Sequence, residues 1–471
     1  MAREQARTRT ISRPRRSPVR LLRPRPRLVE AEDAAARRGA ALPATGAQRL
    51  AALAALSLLG AGLLLTPTIV HDLVFGLFAL TALTRLVAAL GPPPVTAPPP
   101  LPEAALPAYT IIAPLYREAA IAPDLVAALS AIDYPADRLQ ALMVVESDDA
   151  ETREALEALP LPVWMSVLVA PLGWPRTKPR ACNIALEQAS GDLLTIYDAE
   201  DRPDPGQLRE AAARFAAASP RLACLQAPLR IDPDRRLLPA QFALEYAVQF
   251  EVLMPALARL GLPFPLGGTS NHFRVAALRT VGGWDAWNVT EDADLGFRLA
   301  AEGFDMGVLA APTREAAPET LRDWIPQRSR WVKGYMQTFG VQSRRPPHWR
   351  TGAALSFAVT LGAAIAAAFL HGPLVAWAVA ATALGLAHDG TPWISPADGA
   401  LLAAGWLCAG VAGAVGLRRA GAPARMRDLL FLPLYWPLHS IAAAHALVQL
   451  VDRPFHWDKT PHAARTGQGA A

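Results

Sequence analysis

The sequence predicts an α/β domain built on a mostly parallel sheet and flanked by transmembrane α-helices. Three observations predict it. Across residues 108–345, short apolar runs alternate with amphipathic stretches, the rhythm of strands and covering helices. On both sides lie apolar runs approaching the roughly 20 residues a membrane span requires. Acidic clusters follow the apolar runs inside the domain, where parallel sheets bind ligands.

The chain has 471 residues, 52% of them hydrophobic, which points to spans rather than to a wholly soluble protein. Its 3 cysteines, Cys182, Cys224 and Cys408, are too far apart for a metal-ligand pattern or a disulfide framework. Residues 1–47 are rich in arginine, as in Arg13-Pro14-Arg15-Arg16 and Arg23-Pro24-Arg25-Pro26-Arg27. They have no apolar centre, so they are not a signal peptide. They read as a disordered cytosolic tail suited to anionic lipid headgroups; nucleic-acid binding is not expected, because an apolar segment follows directly.

Residues 48–90 read as a two-helix transmembrane hairpin, with apolar runs at 50–65 and 69–90 parted by Thr66-Pro67-Thr68. The basic flank sets the N-terminus in the cytosol and two spans return the chain there. Residues 91–107 form a proline-rich, semi-rigid linker. In the domain, strands are expected at 109–113, 139–145, 163–169 and 193–197, with helices at 122–131, 181–189 and 205–218. Residues 346–452 hold apolar runs at 353–370, 374–387, 400–417 and 429–451, giving three or four spans before a tail at 453–471. Four spans would put Arg418, Arg419, Arg425 and Arg427 outside, against the positive-inside tendency, and three would reverse this.

Three short constellations carry chemistry. Tyr197-Asp198-Ala199-Glu200-Asp201 follows a buried strand, and residues two apart face the same way, so Asp198 and Glu200 can converge on Mg²⁺ or Mn²⁺ held with a diphosphate. The same residues would also serve as an acidic helix-capping loop. Thr290-Glu291-Asp292-Ala293-Asp294 opens a helical stretch; its acids suit an N-terminus and also a general base. In Gln327-Arg328-Ser329-Arg330-Trp331 the amide, a cation and the indole at Gln327, Arg330 and Trp331 share one helical face, fit to grip a diphosphate and stack on a sugar. A basic interfacial helix would look alike. The composition adds a pointer. The chain has only three lysines (Lys178, Lys333, Lys459) and three asparagines (Asn183, Asn271, Asn288). A lysine that survives such an arginine bias marks a place for a compact point charge.

In this order the motifs resemble glycosyltransferase family 2, in its cellulose synthase-like membrane branch, marked by a D, DxD, TED and QxxRW series. The resemblance covers about residues 108–340. It implies a GT-A-type, Rossmann-like nucleotide-sugar domain and an inverting transfer from a UDP-sugar. It also implies roles: Tyr116 and Glu118 near the nucleoside, Asp148 or Asp149 on uracil or ribose, and Lys178 and Asn183 on the nucleotide and donor sugar. Asp198 and Glu200 would bind metal, with Asp201 competing as second ligand because glutamate stands where aspartate is usual. Gly268, Thr269 and His272 belong to the acceptor-side loop, with Glu291 beside them. Asp292 would be the base, Trp331 would stack near the acceptor, and Gln327 and Arg330 would contact the diphosphate.

The expected product is a β-linked polysaccharide or glycolipid, and the expected place a bacterial inner membrane, multi-pass, with the catalytic domain cytosolic. Expected partners are the UDP-sugar, a glycan or lipid-linked acceptor, membrane lipid, and an export or regulatory subunit. Two alternatives differ in class. Transfer to a polyprenyl phosphate does not need QxxRW, and a catalytically weak adaptor or phage-adsorption protein would have lost Asp198 or Asp292.

Overall fold

The computed structural model describes residues 20–21, 39–93, 96–344 and 351–456. In chain order its elements are β1 (Arg20–Leu21), α1 (Gly46–Leu65), α2 (Pro67–Leu90), β2 (Tyr109–Leu115), α3 (Ala122–Ser130), β3 (Leu139–Glu146), α4 (Ala150–Glu157), β4 (Met165–Ala170), α5 (Lys178–Leu186), β5 (Leu193–Ile196), β6 (Arg202–Pro203), α6 (Gln207–Ala217), β7 (Leu222–Gln226) and β8 (Leu229–Ile231). Then come α7 (Leu237–Val248), which runs through a π-type turn, Gln249–Leu253, into α8 (Met254–Arg259), β9 (Asn271–Arg274), α9 (Val275–Thr280), α10 (Glu291–Ala301), β10 (Asp305–Val308), β11 (Thr313–Glu315) and α11 (Leu321–Ser343). The chain ends with α12 (Thr351–Phe357), a π-type turn Ala358–Gly362, α13 (Ala363–Asp389), α14 (Pro396–Arg419), α15 (Met426–Leu430) and α16 (Leu432–Asp452).

One sheet of 8 strands runs β1-β4-β3-β2-β5-β9-β7-β10, and a smaller sheet runs β6-β11-β8. In the large sheet the neighbours pair in parallel except β9, which is antiparallel to both β5 and β7. Its strands are buried on both faces, which explains their near-continuous apolar runs. Alternation along a single strand divides the core. Ile112, Leu142 and Val144 enter one layer with α5 and α10, while Ile111, Ala113, Met143 and Val145 enter the other with α3 and α6. The carboxyl ends of β2, β3 and β5 therefore open on one edge, where β3 ends on Glu146 and Tyr116 and Asp198 follow β2 and β5.

Four helices among the described residues are long and apolar enough to cross a membrane: α1, α2, the continuous helix Gly352–Asp389, and α14. None of the α1 side chains is buried, which suits a helix that faces lipid. The expected breaks differ in one place. The two runs expected at 353–370 and 374–387 form one unbroken helix, despite Pro373 inside it. A proline removes one backbone donor and strands the carbonyls a turn earlier. Ser440 of α16 fills the gap: its hydroxyl donates to Ala368 O at 2.6 Å and accepts from Gly372 N at 2.9 Å. The last expected run is the helix α16, which lies along α11 and α13 and carries Tyr435, His439, His445 and Gln449.

The arginine-rich tail is not wholly free of structure. Arg20–Leu21 pairs with Leu168 and Val169 of β4. Further on, Ala40 N donates to Asp285 Oδ2 at 2.7 Å, and Arg344 donates to the carbonyls of Gly39 and Leu42 at 3.0 and 2.6 Å. Polar anchors 245 to 305 residues away hold this segment, so no local pattern announces it. The rest of the tail, and Trp457-Asp458-Lys459-Thr460 at the other end, lie outside the described residues.

Candidate active site

The strand ends and α11 enclose a cavity of about 1220 Å³. Tyr116, Glu118, Lys178, Asp198, Glu200, Gly268, Thr269, Glu291, Asp292, Gln327, Arg330 and Trp331 all line it. The sheet order explains this convergence of distant residues: β2 and β5 are neighbours, and β9 brings the 267–271 loop beside β5.

At the centre stands Lys178, the first residue of α5. Its ammonium is ion-paired to Asp198 and donates to Gly268 O at 2.6 Å. Burial works against its charge, but Asp198 and Glu291 hold its pKa up, so it stays a cation. Asp292 lies across from it. A Cβ on Gly268 would sit 3.4 Å from Asp292 Oδ2 and 3.8 Å from Lys178 Nζ. Burial raises the pKa of Asp292 to about 6, and burial together with Asp292 raises that of Glu291 to about 8. Both carboxyls therefore hold their protons to higher pH than free acids do, and they titrate as a pair. Arg330 faces the same group, its charge drawn to Glu291, Asp292 and Asp198.

The helix α11 comes close because of one glycine. A Cβ on Gly334 would lie 2.3 Å from Thr290 Oγ1, so a larger residue would push α11 off the Thr290-Glu291-Asp292 turn. Gln337 clamps the same turn, its Oε1 accepting from Val289 N at 3.1 Å. The pattern in Gln327–Trp331 divides by face. Gln327, Arg330 and Trp331 line the cavity together with Arg328, but Arg328 turns toward Glu245, 2.7 Å away. Its guanidinium lies 4.2 Å from the Trp331 ring centroid and 4.8 Å from that of Phe242. Burial would raise the pKa of Glu245, yet Arg328 and His439 hold it down at about 2.

Other expected site residues sit off the cavity wall. Asp149 caps α4, accepting from Thr152 N at 3.2 Å, and also accepts from Arg117 N at 2.5 Å. Asp148 is at the surface, paired with Arg176, while Glu146 occupies the wall in this region. Asn183 braces Trp284, donating to its carbonyl at 2.8 Å and accepting from its amide at 2.9 Å. Gly283 permits that contact: it has φ +69, and a Cβ there would collide with Asn183 Oδ1 at 2.3 Å. His272 is fully buried between Tyr109 Oη at 2.6 Å and Gln207 Oε1 at 3.0 Å, and burial lowers its pKa to about 3.

The structure adds Glu315, at the end of β11, which no spacing in the sequence pointed to. It lines the cavity, and its buried Oε1 has no hydrogen-bond partner. Burial and the charges of Asp201, Glu200 and Asp198 push its pKa well up. Asp201 is pushed up in the same way; its Oδ2 accepts from Asp198 N at 2.6 Å and from the Thr269 hydroxyl, and its Oδ1 has no partner. Carboxylates crowded until two of them resist ionisation, with oxygens left over, are a hard donor set short of positive charge, and a divalent cation fits them. Among the described residues no three His, Cys, Asp or Glu side chains are already gathered as ligands, so such a cation would take further ligands from a diphosphate and water.

A family model described as glycosyl transferase family group 2 matches residues 193–409. The chain is 28% identical over 232 residues to beta-monoglucosyldiacylglycerol synthase of Synechocystis, covering 47% of each protein. It is 25% identical to a probable glucomannan 4-beta-mannosyltransferase of Arabidopsis thaliana over 50% of this chain and 44% of that one. To the cellulose synthase catalytic subunit of Xanthomonas axonopodis it is 28% identical over 49% of this chain and 32% of that one. The match thus spans less than half the length of each of these relatives. Among solved structures, a mannosyltransferase from Pyrobaculum calidifontis in complex with GDP-Man and Mn²⁺ shares the fold, with TM-score 0.55 and 21% identity over 82% of this chain and 98% of that one. By its motifs, its GT-A-type sheet and these relatives, the chain is similar to the family 2 glycosyltransferases.

Proposed function

We propose that the protein is an inverting membrane glycosyltransferase that moves a sugar from a UDP-sugar to a hydroxyl presented at the membrane. The observation that carries this reading is the approach of Asp292 and Lys178 at Gly268. It puts a buried carboxyl on one side of a small space and a cation, with Asp198, on the other, which supports Asp292 as the base. The nucleotide would lie along the strand ends beside Tyr116 and Glu118, with its diphosphate toward Lys178, Gln327 and Arg330. Asp292 takes the proton of the acceptor hydroxyl, whose oxygen forms a bond to the anomeric carbon as the bond to the diphosphate oxygen breaks. One displacement turns an α-linked donor into a β-linked product. Lys178 and Arg330 stabilise charge that grows on the leaving diphosphate, a term usually large in such reactions. Asp198 and Glu200, with Asp201 and Glu315 behind them, would hold Mg²⁺ or Mn²⁺, which would supply further charge neutralisation when bound.

The test is to incubate membranes holding the protein with radiolabelled UDP-glucose, UDP-N-acetylglucosamine and UDP-galactose in turn. The proposal expects label from at least one donor in a β-linked product, identified by NMR. An α-linked product contradicts the single displacement, and no transfer from any nucleotide sugar contradicts the function.

A further inference from the structure

Beyond the last helix the chain returns to the cavity. Arg453-Pro454-Phe455-His456 makes one tight turn, in which His456 N donates to Arg453 O at 3.2 Å and proline stands at the position where such turns favour it. Phe455 and His456 both line the cavity. The Phe455 ring meets that of Trp287 edge to face at 5.0 Å, and Trp287 meets Trp174 in the same way at 6.2 Å. Trp174 opens the lining segment Trp174–Thr177, which leads directly into Lys178. A row of rings thus joins the turn after α16 to the loop that carries the central cation. The turn is held there by α11. Lys333 of that helix is fully buried, and its ammonium donates to Gln449 Oε1 of α16 at 3.0 Å and to His456 O at 2.9 Å. An ammonium is costly to bury and persists where its donors are met. One helical turn further on the same face, Gln337 divides its amide between two segments. Its Nε2 donates to Pro454 O at 3.0 Å, and its Oε1 accepts from Val289 N at 3.1 Å. One side chain therefore fixes both the turn after α16 and the turn that carries Asp292. Neither Lys333 nor Gln337 is among the residues that line the cavity; both stand behind its wall.

From this geometry we propose that the turn Arg453–His456 is a wall of the nucleotide-sugar site, on its diphosphate side, and that Lys333 is the positioning residue that fastens it. The proposal rests on the glycosyltransferase reading for what the wall covers, but the fastening itself does not depend on it. Lys333 acts through other residues: it works by where it puts Phe455 and His456. A wall at this place has two consequences. It confines the diphosphate against Lys178 and Arg330. It also keeps bulk water from the anomeric carbon, where water would take the sugar in place of the acceptor.

The test uses the full chain in lipid nanodiscs and the probe UDP with Mn²⁺, and it compares the parent with Lys333→Met and Phe455→Ala. Lys333→Met removes the fastening; Phe455→Ala removes wall surface and leaves the fastening in place. In calorimetry each variant should bind UDP about tenfold more weakly, the scale of one lost contact. In the parent, UDP should slow hydrogen exchange of the backbone amides of residues 455 and 456; in Lys333→Met it should no longer do so. Parental UDP affinity in Lys333→Met overturns the proposal, even where that variant melts lower, because a merely structural lysine would change melting alone. Exchange at 455 and 456 that UDP leaves unchanged in the parent overturns it too. Should Lys333→Met fail to fold, Phe455→Ala decides: about tenfold weaker UDP binding supports the wall, and parental affinity overturns it. Sugar transfer is scored separately. A parent that binds UDP against this turn and transfers no sugar contradicts the function and supports the wall, whereas transfer with a turn indifferent to UDP contradicts only the wall.

Discussion

Lys178 is ion-paired with Asp198 and reaches Gly268 O at 2.6 Å, so a single lysine ties the start of α5 to the end of β5 and to the loop before β9. It is one of three lysines in a chain dominated by arginine. The site gives a reason: two acceptors, Asp198 and Gly268 O, converge on one point, which a compact ammonium fills and a planar fork does not.

Lys178→Met should cost about a hundredfold or more in transfer, the scale of losing a preorganised charge at the leaving group. Lys178→Arg should recover only part of that loss. Steady-state kinetics on both variants checks this, and a fully active Lys178→Arg would end the point-charge argument.

The pH dependence follows from Asp292 and Glu291. Asp292 works as a base only when ionised, and its pKa is about 6. Transfer should therefore climb from pH 5 to pH 7 with an apparent pKa near 6. Stability runs the other way. Glu291 holds its proton up to about pH 8 in the folded chain, against about 4.5 unfolded, so the folded state binds more protons in that window and loses stability as pH rises through it. Glu291→Gln should melt higher than the parent at pH 8, by about 2 °C or more, and the gap should close at pH 4.5. A gap that does not change with pH would refute the sign.

Divalent metal should be required, and EDTA should abolish transfer. If Asp201 and Glu315 support the cation behind Asp198 and Glu200, then Asp201→Asn and Glu315→Gln should each weaken Mn²⁺ binding by about tenfold to a hundredfold. Electron paramagnetic resonance titration of Mn²⁺ in the presence of UDP measures this without turnover. Undiminished affinity in both variants would remove them from the metal site.

The Arg328–Glu245 pair should matter to folding. Arg328→Met leaves Glu245 partly buried beside Tyr435 and His439 without its main partner. The expected loss is about 2 kcal/mol, reduced from the fully buried case because Glu245 keeps some exposure. Arg328→Met with Glu245→Leu should regain most of it, as melting of the double variant would reveal.

Much of this was legible in the chain because it is local. Strands at 109, 139, 165 and 193 announce themselves as apolar runs, since both faces of the sheet are covered, and the acids that follow them mark its ligand edge. What stayed hidden depends on distant partners. Glu315 belongs to a three-residue strand whose place by Asp201 is set by pairing with β6 and β8. Arg328 and Arg330 look alike in sequence; the helix face alone sends one toward Glu245 and the other toward Asp292. Pro373 reads as a break until Ser440, 67 positions on, repairs it. Asn183 and His272 read as site residues from their motifs, and the structure adds their hydrogen bonds to Trp284, Tyr109 and Gln207.

The central claim is that Asp292 is the base of the transfer, and Asp292→Asn tests it most directly. The variant should bind UDP with the affinity of the parent in calorimetry and transfer sugar about a hundredfold to ten-thousandfold more slowly. Parental turnover in Asp292→Asn, with UDP binding intact, would contradict the account.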